Sequence, residues 1–429
     1  MTMLTAPKGM NDVLPGAGTA FLSSAVWTQL QAIAEATFRA HGYAQIWLPL
    51  VEETALFTRG IGAGTDIVAK EMYSFTDRGN RAISLRPEGT AGAARAYIEH
   101  GFGRHEPLQR WWYMGPMFRA ERPQKGRYRQ FYQIGAELFG APEGVADAEM
   151  LLLGCALCRA LGIEGVQVRL NSLGDASSRI AYREVLLAYL AQHQAALCAS
   201  CQGRVQSNPL RVLDCKRPSC IALVVDAPDI LASLTPTARR GLACVEALLQ
   251  EAGQPFTRDP RLVRGLDYYT GIIFELTSAN LGAQDAILGG GRYDQLVQDL
   301  AGPATPAVGF AAGVERLALI LAAQATAPAV VGPALYLAPV DPTAAGLALA
   351  LAVALREQGL GVMLDVLGGR LKQQLRRAEK AGAAFVMVLG ESELAAGRGR
   401  LRRLASGEEV ETALTPAAIA AQLAAGQPS

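Results

Sequence analysis

The chain has 429 residues, 50% hydrophobic and 18% charged, and its 40 Lys+Arg against 39 Asp+Glu leave a formal net charge of +1. Such a composition excludes a disordered chain, and the near-zero charge excludes a global field that would advertise a polyanionic partner. The length predicts about two or three domains, and seven Cys, few and odd in number, exclude a disulfide framework and predict a reducing, cytoplasmic compartment.

Met1 to Lys8 has no apolar core flanked by basic residues, so no export signal is read there. Pro15-Gly16 precedes a helix expected over about Ala20 to His41, with Trp27, Leu30, Ile33, Ala34 and Phe38 at three-and-four spacing and Gly42 as its stop. A strand is expected over Tyr43 to Leu48, ended by Pro49. Glu71 to Thr76 and Arg81 to Leu85 flank Asp77-Arg78-Gly79-Asn80, a hairpin pattern. A second hairpin joins Trp111 to Arg119 with Phe131 to Phe139 through a long basic loop. From about Ser172 to Pro260 the texture is helical and Ala/Leu-rich, and strand character returns at Ile272 to Thr277 and Ile287 to Gly290. That order predicts an α+β fold: an antiparallel-sheet domain over 1–171 and 261–326, interrupted by a helical insertion over 172–260.

Leu317 to Val340 carries no charged residue, but Pro328, Gly332-Pro333 and Pro339 cut it into pieces too short to cross a membrane. Beyond the break, strands (Leu335 to Val340, Val362 to Leu364, Phe385 to Leu389) alternate with helices (Thr343 to Gln358, Arg370 to Ala381). A hairpin around Ser406-Gly407 and a terminal helix follow, which predicts a small α/β domain over 334–429.

Two segments concentrate chemistry. Phe118 to Phe131 places Arg119, Arg122, Lys125, Arg127 and Arg129 in or beside a loop between strands, where they can approach a polyphosphate or a nucleic-acid backbone. Gly309-Phe310-Ala311-Ala312-Gly313-Val314-Glu315-Arg316-Leu317 runs small residues into a Glu-Arg pair that opens an apolar helix. Either alone is most often a solvated turn or a close strand–helix contact. Together the first resembles motif 2, and the second motif 3, of class II aminoacyl-tRNA synthetases, with Ala311 where Gly is frequent. The strand ending at Pro49 is similar to their motif 1. Leu262 to Gly271 (LVRGLDYYTG) and Gly289 to Asp294 (GGGRYD) resemble the two signature peptides of the histidyl-tRNA synthetase family, and Arg86 to Thr90 and Lys8 to Asp12 fit the same family.

The resemblance implies a class II catalytic domain followed by an anticodon-binding domain, a homodimer joined through the motif 1 strand, and activation of histidine by ATP with its accompanying Mg²⁺ before transfer to tRNA. Arg119 would hold the α-phosphate and substrate carboxylate, Arg316 the γ-phosphate, Glu121 and Phe131 the adenine, and Arg264 the α-phosphate as a fixed, always-charged guanidinium. Glu88, Gly89, Thr90 and Gln133 would surround the α-ammonium. Glu137 and Tyr269 would meet the two imidazole nitrogens, with Tyr268 and Tyr293 lining the pocket. Gln133 and Glu137, four apart on a strand, share a face. Polar groups left unpaired by an apolar analogue would supply ~10⁴-fold rejection without editing. Gln124 and Arg129 would meet the acceptor end of tRNA.

Cys198-x2-Cys201 and, thirteen residues on, Cys215-x4-Cys220 have a spacing compatible with a four-thiolate zinc site. Small buried residues in a helical insertion would give the same pattern, and the family's chemistry does not call for zinc, so no metal ligand is assigned. Cys155, Cys158 and Cys244 read as core. Arg370, Lys372, Arg376, Arg377 and Lys380 form a basic helix and Arg398, Arg400, Arg402 and Arg403 a second cluster. With the resemblance, these read as a phosphate-contacting face for the anticodon stem, Arg376 and Arg377 foremost. Two rivals share the fold: a non-catalytic regulatory subunit of ATP phosphoribosyltransferase, and a tRNA-binding or kinase-regulatory protein. Intact signature peptides, the C-terminal domain and three retained phosphate cations argue against both.

Overall fold

A computed structural model describes residues 3–16, 19–62, 64–124, 126–278, 286–323 and 332–425; Lys125 and the Pro328 break lie outside them. The chain forms two compact units, Met1–Pro328 and Ala329–Ser429. Among the described residues no helix is long and apolar enough to cross a membrane.

The first unit contains strands β1 (Ala44–Gln45), β2 (Val51–Glu53), β3 (Tyr73–Thr76), β4 (Ala82–Leu85), β5 (Gln109–Phe118), β6 (Gln130–Phe139), β7 (Gln167–Ser172), β8 (Thr257–Arg258), β9 (Ile272–Thr277), β10 (Ala286–Arg292) and β11 (Ala307–Gly313). Eight build one sheet in the order β1-β5-β6-β11-β10-β9-β7-β8, antiparallel from β5 through β7; β2-β4-β3 form a small second sheet. Strands β2, β7 and β8 were not among the expected elements.

Pleating separates the two faces of the large sheet. One face presents Trp112, Ile134, Ala136, Leu138, Leu170, Phe274, Leu276, Val308 and Phe310. They pack into the main core with Leu30 and Phe38 of helix Ser24–Ala40 and with Leu151 and Leu157 of helix Val145–Ala160. Each fully buried Leu or Phe there contributes about 1.5–3 kcal/mol. The helix Ser24–Ala40 buries Val26, Trp27, Leu30, Ala34 and Phe38, the anticipated stripe, and Gly42 follows at φ 75°. The expected strand over Tyr43 to Leu48 is shorter. Only Ala44 and Gln45 pair with Trp111 and Trp112, because the Leu48 and Pro49 carbonyls accept from the buried Arg86 guanidinium (3.1 and 3.4 Å) instead of a neighbouring strand.

Residues 172–260 carry helices Ala176–Gln192, Ala199–Ser207, Pro218–Val224 and Pro236–Glu251. Cys155 and Cys158 are buried, but Cys244 is exposed, a correction to the core reading. The helix Pro236–Glu251 buries Ala238, Leu242, Val245 and Leu249, and position 244 lies off that stripe.

The second unit is a five-stranded sheet, order β13-β12-β14-β15-β16, built from β12 (Leu335–Pro339), β13 (Val362–Leu364), β14 (Phe385–Leu389), β15 (Arg398–Arg403) and β16 (Glu409–Ala413). The first three run parallel and the last two form an antiparallel hairpin. Helices Ala345–Glu357, Leu371–Lys380, Glu391–Ala396 and Pro416–Ala425 complete it.

Candidate active site

The face of the large sheet opposite the core is built differently. Register aligns Trp111, Glu137 and Gly309 across β5, β6 and β11, then Tyr113, Gly135 and Ala311, then Gly115, Gln133 and Gly313. Gly289 continues the second of these rows on β10 and Glu275 on β9. Five glycines therefore floor a trough whose walls are the side chains left between them. The gaps are occupied by neighbours. A Cβ on Gly309 would lie 1.9 Å from Glu137 Oε2, one on Gly135 or Gly89 within 2.4 Å of the Tyr113 ring, and one on Gly289 2.1 Å from the Arg264 guanidinium. Alanine fits at none of these positions without moving the side chain that fills the space.

Glu137 is fully buried. Thr90 Oγ1 (2.7 Å) and the Tyr113 hydroxyl (3.0 Å) donate to its Oε1, and the Tyr293 hydroxyl donates to Oε2. Burial pushes its pKa from the ordinary 4.5 up to about 8, and these hydrogen bonds only partly oppose it. Glu88, also buried, accepts the Thr90 and Ala91 amides (2.7 and 2.9 Å) at the start of helix Thr90–Glu99, and burial raises its carboxyl as well. Thr90, expected beside an α-ammonium, gives its hydroxyl to Glu137 here. Tyr268 packs against Tyr269 (4.7 Å between ring centroids) and edge-on to Tyr293 (5.5 Å), closing the pocket with three buried phenols. Tyr113 was missed by the sequence reading. Its signal is the alternation in Trp111-Trp112-Tyr113-Met114, which turns Tyr113 away from the core.

Along β6 the same face carries Glu137, Gln133 and Phe131. Gln133 Oε1 is buried with no hydrogen-bond partner among the described residues, a state that costs about 1–3 kcal/mol unless a ligand donates to it. Arg119 stacks over the Phe131 ring (5.1 Å to the centroid) while its Nε donates to the Pro87 carbonyl (2.9 Å). Arg264 donates to Glu275 (3.2 Å) and lies 5.9 Å from the Tyr269 ring centroid; its Nε is buried with no hydrogen-bond partner among the described residues. Arg316 donates to the Gly126 and Ala286 carbonyls (3.3 and 2.9 Å), which ties the β5–β6 loop to the end of β11. Its neighbour Glu315 accepts the Tyr132 amide (3.0 Å).

Glu121 pairs with Arg127 (3.1 Å), and Gln124 and Arg127 close a turn through mutual backbone bonds. The Gly9 carbonyl accepts the Arg129 and Gln130 amides (2.7 and 3.2 Å), so the opening segment braces this loop. Gly9 sits at φ 87°, and a Cβ there would meet Pro123 at 2.8 Å. Arg292 of the GGGRYD peptide is structural: fully buried, it pairs with Asp147 through two bonds (2.8 and 2.9 Å) and with Asp294 (2.9 Å). Removing either partner would cost about 3–5 kcal/mol.

In the second unit several of the expected basic residues have acidic partners within the domain. Arg377 is committed to the buried Asp365 (2.8 and 3.0 Å), which also accepts from Tyr336 (2.8 Å) and the amides of Leu367 and Gly368. Arg398, Arg400 and Arg403 face Glu411, Glu409 and Glu408 in cross-strand or turn ion pairs (3.2, 3.6 and 3.9 Å). Arg376 is exposed on helix Leu371–Lys380, and Arg370, Lys372, Lys380 and Arg402 of the two expected basic clusters are exposed as well.

Comparison with known proteins converges on one family. Its profile, "Histidyl-tRNA synthetase", matches residues 9–317, and an anticodon-binding-domain profile matches 334–419. A histidine–tRNA ligase of Anaeromyxobacter dehalogenans is 48% identical over 408 residues, 95% of this chain and 97% of that protein. One from Trichlorobacter lovleyi is 45% identical over 423 residues, 99% of each. The solved structure of apo S. aureus histidyl-tRNA synthetase matches with a TM-score of 0.80 at 31% identity over 99% of both chains. The chain belongs to the histidyl-tRNA synthetase family.

Proposed function

We propose that this chain is a histidine–tRNA ligase. A histidine carboxylate oxygen attacks the α-phosphorus of ATP, the bond to pyrophosphate breaks, and histidyl-adenylate forms. The 3′-terminal hydroxyl of tRNA then attacks the activated carbonyl and AMP leaves. The observation that carries this reading is the line Glu137, Gln133, Phe131 along one glycine-floored face, with Arg119 stacked on its far end. The six residue steps from Phe131 to Glu137 span about 20 Å, the reach of an amino acid joined to a nucleotide.

In this reading Glu137, Tyr269 and the phenols of Tyr268 and Tyr293 select the imidazole. Gln133 and Glu88, with Gly89 and Thr90 beside them, receive the α-ammonium, whose protons suit an orphaned amide oxygen. Arg119 and Arg264 bridge the carboxylate and α-phosphate, two negative groups that must meet. Cations already fixed in place stabilise that encounter without reorganising. Arg316 takes the γ-phosphate, and Glu121 with Phe131 the adenine. Magnesium arrives on ATP. Among the described residues no cluster of carboxylates converges to cage it, so the triphosphate oxygens would hold it.

The catalytic domain comprises 1–171 and 261–326, the insertion 172–260 and the anticodon-binding domain 334–429. Gln124 and Arg129 face the acceptor end, and Arg376 the anticodon stem. A cytoplasmic homodimer is proposed as well. Trp47, Leu50, Val51 and Phe75 are exposed around the motif 1 strand, and Val51 and Phe75 share a face of the small sheet, which supports an apolar interface there. The direct test is charging: the full chain with ATP and labelled histidine should esterify one tRNA species of a total pool. Absence of labelled tRNA from an active preparation would sink the proposal.

A further inference from the structure

The helical insertion holds a feature that the proposed chemistry does not use. The Sγ atoms of Cys198, Cys201, Cys215 and Cys220 all lie within 4.8 Å of one another, and those of Cys198 and Cys215 are 3.9 Å apart. Four thiolates about 2.3 Å from a zinc ion stand about 3.8 Å from each other at tetrahedral angles. The cluster thus needs only a small contraction to close on a metal. None of the four is in a disulfide. Cysteines packed merely as small apolar groups have no reason to turn all four sulfurs to one point.

Local structure gathers the four sulfurs at one helix end. Cys198 caps helix Ala199–Ser207 and Cys201 sits in its first turn, so the positive end of that helix lies beside the sulfurs. The Cys198 amide donates to Cys220 Sγ (3.3 Å). Leu197, Val205, Val212, Leu213 and Val224, all buried, belong to the same apolar cluster as Cys201 and Cys220. Arg217 lies in the loop between the second cysteine pair beside Lys216, which pairs with Asp214 (2.9 Å). We propose that these four cysteines bind one structural zinc ion.

The ion would sit away from the reacting groups but beneath the element that braces them. From the same helix Arg204 pairs with Asp66 (2.7 Å), and Asn208, next in the chain, donates to Asp267 (2.9 Å) in the peptide that carries Arg264 and Tyr268. Zinc therefore fixes the knuckle from which the insertion grips the LVRGLDYYTG peptide, and its loss loosens that grip.

The test uses tag-free, full-length protein from zinc-supplemented growth, purified without chelator. Elemental analysis should find about one zinc per chain, unchanged in Cys244→Ser and near zero in Cys198→Ser and Cys215→Ser. Exchange with cobalt should give the intense visible bands and sulfur-to-metal charge transfer of a tetrahedral tetrathiolate. Stripping zinc should lower the melting temperature, and zinc should restore it. Should the variants fail to fold, the cobalt spectrum of the unmodified chain decides. A folded, metal-free chain that shows no cobalt bands, or zinc retained undiminished in the folded Cys198→Ser and Cys215→Ser variants, would overturn the proposal. This inference does not rest on the synthetase reading, because neither metal content nor cobalt spectrum depends on activity.

Discussion

Glu137 is a carboxyl whose surroundings favour its proton. Burial raises its pKa to about 8, and the charge of Glu88 adds to the shift; Glu315 is raised to about 7, again by burial. In the unfolded chain both titrate near the ordinary 4.5, so between that pH and about 8 the native state binds more protons than the unfolded one. Stability from these groups is present below the unfolded value and is lost as pH rises through the folded values. Denaturant titration of the ligand-free protein should therefore give a smaller unfolding free energy at pH 8.5 than at pH 6. Glu137→Gln should reduce that difference and raise the KM for histidine by about 10- to 100-fold, because an amide pairs with the imidazole differently from a carboxyl. A flat profile, or an unchanged KM, would remove Glu137 from the pocket. Arg377 and Arg376 make a second contrast. Arg377→Ala leaves Asp365 buried without its cation and should lower the melting temperature, whereas Arg376→Ala should leave stability within about 0.5 kcal/mol and weaken tRNA binding with a shallower salt dependence. Equal effects of the two on stability would show that both are structural.

At the level of elements, the sheet works because its two faces obey different rules. The core face tolerates aliphatic exchange, but the trough face depends on absent side chains. Gly289→Ala should displace the Arg264 guanidinium and slow adenylate formation by about 10²-fold or more. Its melting temperature should hold within a few degrees, since the large apolar core lies on the other side of the sheet. Unaltered adenylation would mean that Arg264 has no role there. Much of this was legible beforehand. Turn residues at Asp77 to Asn80 and the aromatic runs flanking the basic loop gave both hairpins, and three-and-four spacing gave the long N-terminal helix. What escaped notice depends on contacts distant in the chain. Strand β1 stops early because Arg86, about 40 residues on, takes its carbonyls. Tyr113 becomes a site residue only once Gly135 and Gly89 are seen to make room for its ring. Charge counting also took no account of the ion partners that Arg377 and β15 find in Asp365 and in the glutamates of 408–411.

For the whole molecule, two compact units carry separable duties, chemistry in Met1–Pro328 and tRNA discrimination in Ala329–Ser429 on the proposed reading. The decisive question is whether this chain couples the imidazole pocket to the phosphate cations. Pyrophosphate exchange asks it directly, because label enters ATP only if an amino-acid adenylate forms reversibly. The full chain, offered each of the standard amino acids in turn with ATP, should exchange with histidine and reject the others by about 10⁴-fold, as unpaired buried polar groups demand. Exchange that is absent with histidine, or equal with an apolar amino acid, would contradict the account.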